Sequence, residues 1–275
     1  VNTTGANNVA VGALALDANT TADNNTAVGY NALSANTTGA GNTAVGTIAL
    51  DAITTSSNNT AVGHEALTNA TTGAGNTALG KSTMTGVVTG SNNVAVGYTA
   101  LTANTTASNN VAVGNGALAA TTTGASNTAV GQAALYANTT ASFNTAVGRS
   151  ALAANTTGAS NTSVGYTSLD ANTTGSNNVA IGQDALGANT TASDNTAIGL
   201  SSLKLNVTGT ANTAVGKDAL RANLASNNTA VGMDALTVNT TGADNVAFGS
   251  ETMVSNTTGD ANTALGRGAL ASNST

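Results

Sequence analysis

Apolar, small and polar residues recur along this chain at a fixed spacing of 17 residues. Each repeat contains Asn, then Thr or Val, then Ala, an aliphatic residue and Gly, as in residues 25–29. The Gly recurs at every seventeenth residue from Gly12 to Gly216, then arrives one residue early at Gly232, and Gly249 and Gly266 restore the spacing. So short a period indicates a solenoid, in which each coil contacts only its neighbours. Below, repeat positions are numbered 1 to 17 from this Asn.

The repeat columns predict short strands separated by bends. Position 1 is Asn in all 16 copies, position 3 is Ala except for Ser163, position 4 is always apolar, and position 9 is Leu except for Met84 and Met253. Val, Thr and Ile favour strands while Gly and Asn mark bends, which predicts two or three strands per coil. A helix over positions 6 to 11 is the alternative, although six residues are too few to be stable alone. The uniform Asn predicts a hydrogen-bonded ladder between coils.

These columns predict the fold class and the domain organisation. We expect an all-β fold, a parallel β-solenoid of about 16 coils with 17 residues each. Residues 1–275 form a single repeat domain, because no shift in composition marks a boundary. The one deletion falls at position 14, between Leu224 and Ala225, where a turn is expected to absorb it.

The charged residues identify the solvent face. All 18 of them fall at positions 6, 7, 10, 16 and 17, and charged side chains avoid burial unless they are paired. In a strand, positions 2 and 4 share one face and positions 1 and 3 the other, and neither face carries a charge. The strand is therefore expected to be covered twice, inside by its own coil and outside by another chain. This predicts a homo-oligomer, a parallel homotrimer about the solenoid axis.

Composition excludes several classes of function. The chain has no Cys, which removes disulfides and thiolate metal sites. Its net charge of -6 argues against nucleic acid as a partner, and no apolar run approaches the ~20 residues of a membrane-spanning helix, so no membrane insertion is expected. An enzyme needs a convergent constellation of groups, and a uniform repeat predicts no catalytic residues, no cofactor and no metal site. His64, the only histidine, lies in variable position 6 and is expected to be solvated.

Two surface patterns have modest interpretations. Tyr30, Tyr98 and Tyr166 share the outward column at position 6, and we interpret their spacing as incidental. Asn-Thr-Thr at Asn36 and Asn155 matches the glycosylation pattern, but in a stacked repeat it favours turn chemistry, because Asn tolerates left-handed backbone.

An ice-binding solenoid is the alternative function. Val88, Val207 and Leu224 replace the middle Thr of Asn-Thr-Thr, which predicts that position 13 points inward and that positions 12 and 14 project outward. A flat, charge-free array of Asn and Thr would then face solvent. The candidate array is Asn36, Thr38, Asn104, Thr106, Asn138, Thr140, Asn155, Thr157, Asn172, Thr174, Asn189 and Thr191.

The repeat also resembles a known group of fibre proteins. Residues 25–29 and 178–182 resemble the Asn-Ser-Val-Ala-Ile-Gly motif of YadA-like heads in trimeric autotransporter adhesins, and residues 25–33 are similar to repeats of phage tail fibres and bacterial surface fibres. The resemblance covers essentially the whole chain. It implies a left-handed parallel β-roll, three chains per fibre, and an extracellular, cell-surface or virion location. This repeat is a few residues longer than in YadA-like heads, so its outer loop is expected to differ.

Together these observations predict a non-enzymatic function. We expect the structural or adhesive shaft or head of an extracellular trimeric fibre that mediates attachment, and we expect the chain to be an internal fragment of a longer fibre protein. Surface adhesin and tail fibre remain open alternatives, as does the identity of a cell-surface or glycan receptor.

Overall fold

The computed structural model describes residues 2–274, and they form an all-β parallel solenoid. Its strands begin at position 2 and end at position 4 of each repeat, so they follow one another about every 17 residues. Within the described residues they are β1 (Val9–Val11), β2 (Thr26–Val28), β3 (Thr43–Val45), β4 (Thr60–Val62), β5 (Thr77–Leu79), β6 (Val94–Val96), β7 (Val111–Val113), β8 (Thr128–Val130), β9 (Thr145–Val147), β10 (Thr162–Val164), β11 (Val179–Ile181), β12 (Thr196–Ile198), β13 (Thr213–Val215), β14 (Thr229–Val231), β15 (Val246–Phe248) and β16 (Thr263–Leu265).

The chain divides into two compact units, Val1–Thr140 and Ala141–Thr275. The first contains β1 to β8 and the second β9 to β16, and each set forms a parallel sheet in chain order. Pairing is in register, so that equal repeat positions lie side by side: Thr26 pairs with Thr43, and Val28 with Val45. The repeat columns are therefore physical columns on each sheet.

Each coil contains one three-residue strand, and the prediction of two or three strands per coil is wrong. Positions 6 to 11 are turns, and no helix forms there in the described part of the chain. The reason is a left-handed backbone at alternate residues: in the second coil, φ is +54° at both Asn31 and Leu33. A strand cannot pass through such residues, since it needs negative φ throughout.

These turns still stack through hydrogen bonds between coils. The Leu33 amide donates to the Ala49 carbonyl at 2.9 Å, and the Ile48 amide donates to the Tyr30 carbonyl at 2.8 Å. Backbone groups outside the strand thus find partners in the coils before and after, as buried peptide groups require.

Small residues, the leucine or methionine of position 9 and the asparagine of position 1 fill the interior of most coils, and 12 of the 16 repeats have a second asparagine at position 12. In the second coil Ala27, Ala32, Leu33, Asn25 and Asn36 have no exposed surface. They occupy positions 3, 8, 9, 1 and 12. The predicted alternation in the strand is confirmed, because positions 1 and 3 face the interior while positions 2 and 4 face outward.

The buried asparagines form the predicted ladder, with backbone groups as most of its partners. Asn25 Oδ1 accepts the backbone N–H of Asn42 in the next coil at 2.9 Å. Asn25 Nδ2 donates to the Gly39 carbonyl in its own coil at 2.8 Å, and Asn36 Nδ2 donates to the same carbonyl at 2.9 Å. The two asparagines of the second coil thus hold its own turn and the next strand through buried amides, whose burial is favourable only because they are hydrogen-bonded.

The one-residue deletion is absorbed where the sequence placed it. Asn212 Nδ2 and Asn223 Nδ2 both donate to the Ala225 carbonyl, at 2.9 and 2.7 Å. Ala225 therefore takes the place that Gly39 has in the second coil. The register of β13 with β14 is kept, with Thr213 paired to Thr229.

Candidate interaction surfaces

The outward side of the strands forms one charge-free surface in each unit, here called the outer sheet face. It consists of the residues at positions 2 and 4, which are Thr or Val and then Val, Leu, Ile or Phe. These side chains are half-buried or exposed in the single chain; Ile198 is 37% exposed, Phe248 53% and Leu265 78%. A sheet face with an aliphatic or aromatic column at position 4 and no charge is a candidate interaction site.

A second surface carries the charges. Lys204 Nζ lies 3.0 Å from Asp184 Oδ2, and Lys217 Nζ lies 3.1 Å from Asp218 Oδ2. These residues occupy positions 6, 7 and 10, so the prediction that those columns face solvent is confirmed for them. His64 is also exposed as predicted, with Nδ1 3.7 Å from Glu65 Oε2.

The predicted Asn and Thr array is wrong in its Asn column. Asn36, Asn104, Asn138, Asn155, Asn172 and Asn189 have no exposed surface, whereas Thr38, Thr106, Thr140, Thr157, Thr174 and Thr191 are exposed.

The asparagines turn inward because positions 12 to 15 form a turn closed by the Asn side chain. Asn104 Oδ1 accepts the Ala107 N–H at 3.0 Å, and Asn104 Nδ2 donates to the Ala107 carbonyl at 3.3 Å. Position 13 faces outward at Val207 and Leu224, which are both exposed, so the prediction of an inward side chain is wrong for them; Val88 at the same position is fully buried, as predicted. The six Asn and Thr pairs therefore do not form a flat exposed face within residues 2–274, and the ice-binding hypothesis loses the surface on which it was based.

Burial also settles the glycosylation pattern. Asn36 and Asn155 are fully buried and their side-chain amides are engaged in the turn. The interpretation of Asn-Thr-Thr as turn chemistry is confirmed at these two residues.

A cavity of about 430 Å³ lies on the charged surface of the second unit. We call it the Gly187 notch and define it by Tyr166, Thr167, Asp170, Asp184, Gly187 and Lys204. Gly187 occupies position 10, between Asp170 and Lys204 of the same column. The sequence analysis assigned no role to Gly187; the signal that was available is a glycine in a column that otherwise carries side chains.

Hydrogen bonds hold the carboxylate of Asp184 in place within the notch. Thr167 Oγ1 donates to Asp184 Oδ1 at 2.6 Å, and Lys204 Nζ donates to Oδ2 at 3.0 Å. The Thr167 hydroxyl first, and then Lys204, lower the pKa of Asp184. Burial raises the pKa of Asp170, and the charge of Asp184 adds to that effect. Their surroundings therefore shift the pKa values of the two carboxyls in opposite directions, that of Asp184 downward and that of Asp170 upward.

Replacing Thr167 with alanine is expected to raise the pKa of Asp184 toward the ordinary aspartate value of about 3.9. The pKa of Asp170 should stay above that ordinary value. Alanine is compatible with the left-handed backbone here, since Ala133 occupies the same position at φ +55°. Because folding lowers the pKa of Asp184, its contribution to stability is present at neutral pH and is lost as pH falls through the folded pKa. An NMR titration of the carboxyl carbons checks this, and an unmoved Asp184 midpoint would contradict it.

Three further observations limit the chemistry of these surfaces. Within residues 2–274 no three His, Asp or Glu side chains lie close enough together to hold a metal ion. That part of the chain also has no helix with the length and apolar character needed to cross a bilayer. Comparison with known protein families and with curated proteins gives no match to this chain.

Proposed function

We propose that this chain is a structural and adhesive segment of an extracellular fibre, in which three copies pack together through their outer sheet faces. The observation that supports this proposal is the outer sheet face itself, which excludes charge at every coil although it lies outside the closed core of the chain. The solvent-exposed face of a sheet ordinarily carries polar and charged side chains. Because the outer sheet face carries no charge, it resembles an interface.

A second copy of the same chain is the partner that fits this face best. Parallel strands repeat about every 4.8 Å along a sheet stack, and two copies share the same spacing and the same columns. Each coil then contributes an equal contact, and the total grows with the number of coils. The charged columns at positions 6, 7, 10, 16 and 17 stay outside such an assembly, which keeps it in solution.

The number of copies and the location come from the resemblance to YadA-like heads and fibre repeats. Three chains around one axis would bury all three outer sheet faces at once. The mechanism of attachment is then geometric: a stiff segment holds a recognition element away from its cell or virion and presents identical side surfaces many times, which raises avidity.

Lysines placed on the outer sheet face are expected to separate the copies. We choose Ile198→Lys with Val231→Lys, both at position 4, because each would bury an unpaired ammonium against a neighbouring chain. An uncompensated buried charge costs roughly 3–5 kcal/mol, so association should weaken at least ~100-fold. Sedimentation equilibrium of the double variant should give the single-chain mass of 26.2 kDa.

The matched control places the same charges in the same coils on the other surface. Leu200→Lys with Met233→Lys changes two exposed apolar residues at position 6, and it should keep the mass of the unmodified protein. Circular dichroism should show the same fold in both double variants, since all four side chains lie outside the core. Equal masses for the two variants would overturn the assignment of the interface to the outer sheet face.

A further inference from the structure

We infer that the Gly187 notch binds a small saccharide unit through Tyr166, Asp170 and Lys204. The inference rests on the proposed attachment function and names a ligand class for it. The notch lies on the charged surface, so packing of the outer sheet faces leaves it open to solvent.

The glycine makes room that the backbone does not require. Gly187 lacks the left-handed φ that explains the glycines at position 5. A Cβ at Gly187 would lie 3.3 Å from the Asp184 carbonyl oxygen and 3.8 Å from Asp170 Oδ1, so a side chain could be accommodated there. Other coils carry a lysine, an arginine or a tyrosine at this position. The effect of the glycine is therefore an opening of about 430 Å³ between its neighbours, within the ~300–1,000 Å³ range of small-molecule sites.

The notch contains both hydrogen-bond acceptors and a hydrogen-bond donor, and its polar groups are held in place by their neighbours. Thr167 and Lys204 hold Asp184, while Asp170 is partly buried and has no ion pair within the described residues. Burial raises the pKa of Asp170, and the backbone N–H groups of Asp170 and Ala171 together with the charge of Lys204 offset that effect only in part. A ligand that donates further hydrogen bonds to this carboxylate would relieve the remaining cost. Lys204 supplies a donor on the other side of the opening.

An aromatic ring borders the same opening. Tyr166 is about half exposed and lines the notch, and the Arg149 guanidinium lies 5.7 Å from its ring centroid. The cation–π contact helps to hold the ring in place. A ring surface next to fixed donors and acceptors suits a ligand with one C–H face and many hydroxyls.

The charges around the notch favour a saccharide over an anion, an ammonium ion or an apolar ligand. A phosphate or another anion would meet the carboxylates of Asp170 and Asp184, and an ammonium would meet the like charge of Lys204. A purely apolar ligand would desolvate the Asp170 carboxylate further and offer it no new hydrogen bond. A saccharide hydroxyl both donates and accepts, so it can satisfy Asp170 and Lys204 together.

The first unit contains a similar opening beside a small residue at position 10, without the charges and with its tyrosine in the position 10 column, which offers an internal comparison. Thr99, Thr102, Ala119, Ala120 and Tyr136 line a cavity of about 310 Å³. Ala119 lies at position 10 between Thr102 and Tyr136 of the same column, as Gly187 lies between Asp170 and Lys204. A small residue at position 10 thus opens the surface in both units, and only the second has the carboxylates and the lysine.

Tyrosine fluorescence tests the inference on the full chain. The protein has four tyrosines and no tryptophan, so the triple variant Tyr30→Phe, Tyr98→Phe, Tyr136→Phe keeps Tyr166 as the only reporter. We expect a saturable change of this fluorescence with at least one of glucose, galactose, mannose and N-acetylglucosamine. Adding Gly187→Gln, which fills the notch, or Asp170→Ala should weaken that binding at least tenfold, whereas Val254→Gln, in the same column of another coil, should change it less than twofold.

Three results would overturn the inference: no saturable change with any of the four sugars, equal sugar binding by the Gly187→Gln variant with an unchanged circular dichroism spectrum, or a response to methylammonium or inorganic phosphate in place of sugar. The mass of each variant is measured in parallel. If the protein is a trimer that does not bind sugar, the saccharide site is refuted and the fibre proposal stands. If it is a monomer that binds sugar, the fibre proposal is refuted and the saccharide site stands.

Discussion

Replacing Gly63 with alanine is expected to destabilise the protein by roughly 2–5 kcal/mol, the sum of backbone strain and overpacking. Gly63 has φ +138°, a backbone region that is essentially limited to glycine, and a Cβ there would lie 2.5 Å from the Gly80 carbonyl oxygen of the next coil. A backbone atom in a stacked coil cannot move aside without breaking its own hydrogen bonds. The constraint returns at every coil, because position 5 is Gly in all 16 copies.

Gly75 in the same coil supplies the control. It lies at position 17 with φ +68°, and the neighbouring coils carry Asn58 and Asn92 in the same backbone conformation. A Cβ at Gly75 would lie 2.7 Å from Asn92 Oδ1, but that atom is the end of an exposed, flexible side chain that can turn aside. Gly75→Asn should therefore change stability by less than about 0.5 kcal/mol, as surface substitutions usually do. Denaturant midpoints by circular dichroism compare the two variants, and hydrogen exchange should show lost protection in β4 and β5 for Gly63→Ala alone. Similar midpoints for both would contradict the argument.

Removing one asparagine of the ladder is the second substitution with a large expected effect. Asn161 is fully buried; its Nδ2 donates to the Gly175 carbonyl and its Oδ1 accepts the Asn178 N–H, both at 2.9 Å. In Asn161→Ala the Gly175 carbonyl keeps the Asn172 amide as a donor, but the Asn178 N–H loses its acceptor. An orphaned buried donor costs about 1–3 kcal/mol, and with the lost volume we expect roughly 2–4 kcal/mol of destabilisation.

The loss should be local, because each coil contacts only its neighbours. Hydrogen exchange is expected to accelerate in β10 and β11 and to stay unchanged in β14 to β16. Asn177→Ala is the control: Asn177 lies at exposed position 17, where Ala211 and Ala261 adopt the same left-handed backbone. A uniform loss of protection along the second unit, or equal effects of the two substitutions, would show that the lost stability does not come from the asparagine ladder.

The periodicity was enough to predict the solenoid, because a 17-residue spacing in Asn, Ala and Gly can repeat only if equal positions stack. The alternation around the strand was predictable for the same reason: Ala27 faces inward and Val28 outward because successive strand residues point to opposite sides. The columns of charge located the solvent surface that carries Asp184 and Lys204.

The path of the chain outside the strand was not predictable from residue preferences. Leu33 is fully buried and has φ +54°, although leucine has no intrinsic preference for left-handed backbone. Its burial beside Ala32 selects a conformation that its own propensity disfavours. Positions 12 to 14 also lie in a turn, where side chains do not alternate between two faces as they do in a strand. Asn36 therefore points inward, although the pattern predicted an outward side chain.

The notch was missed because it depends on neighbours in space. Gly187 is unremarkable within its own repeat, and its meaning comes from Asp170 seventeen residues earlier and Lys204 seventeen residues later. Reading each column as a surface, rather than each repeat as a motif, would have drawn attention to it.

The most direct test of the account is the mass of the unmodified protein in solution, because the central claim is that other copies cover the outer sheet face. Sedimentation equilibrium at micromolar concentration should give three times the chain mass of 26.2 kDa, with no dependence on moderate salt since the contact is apolar. A stable species of 26.2 kDa under the same conditions would contradict the account.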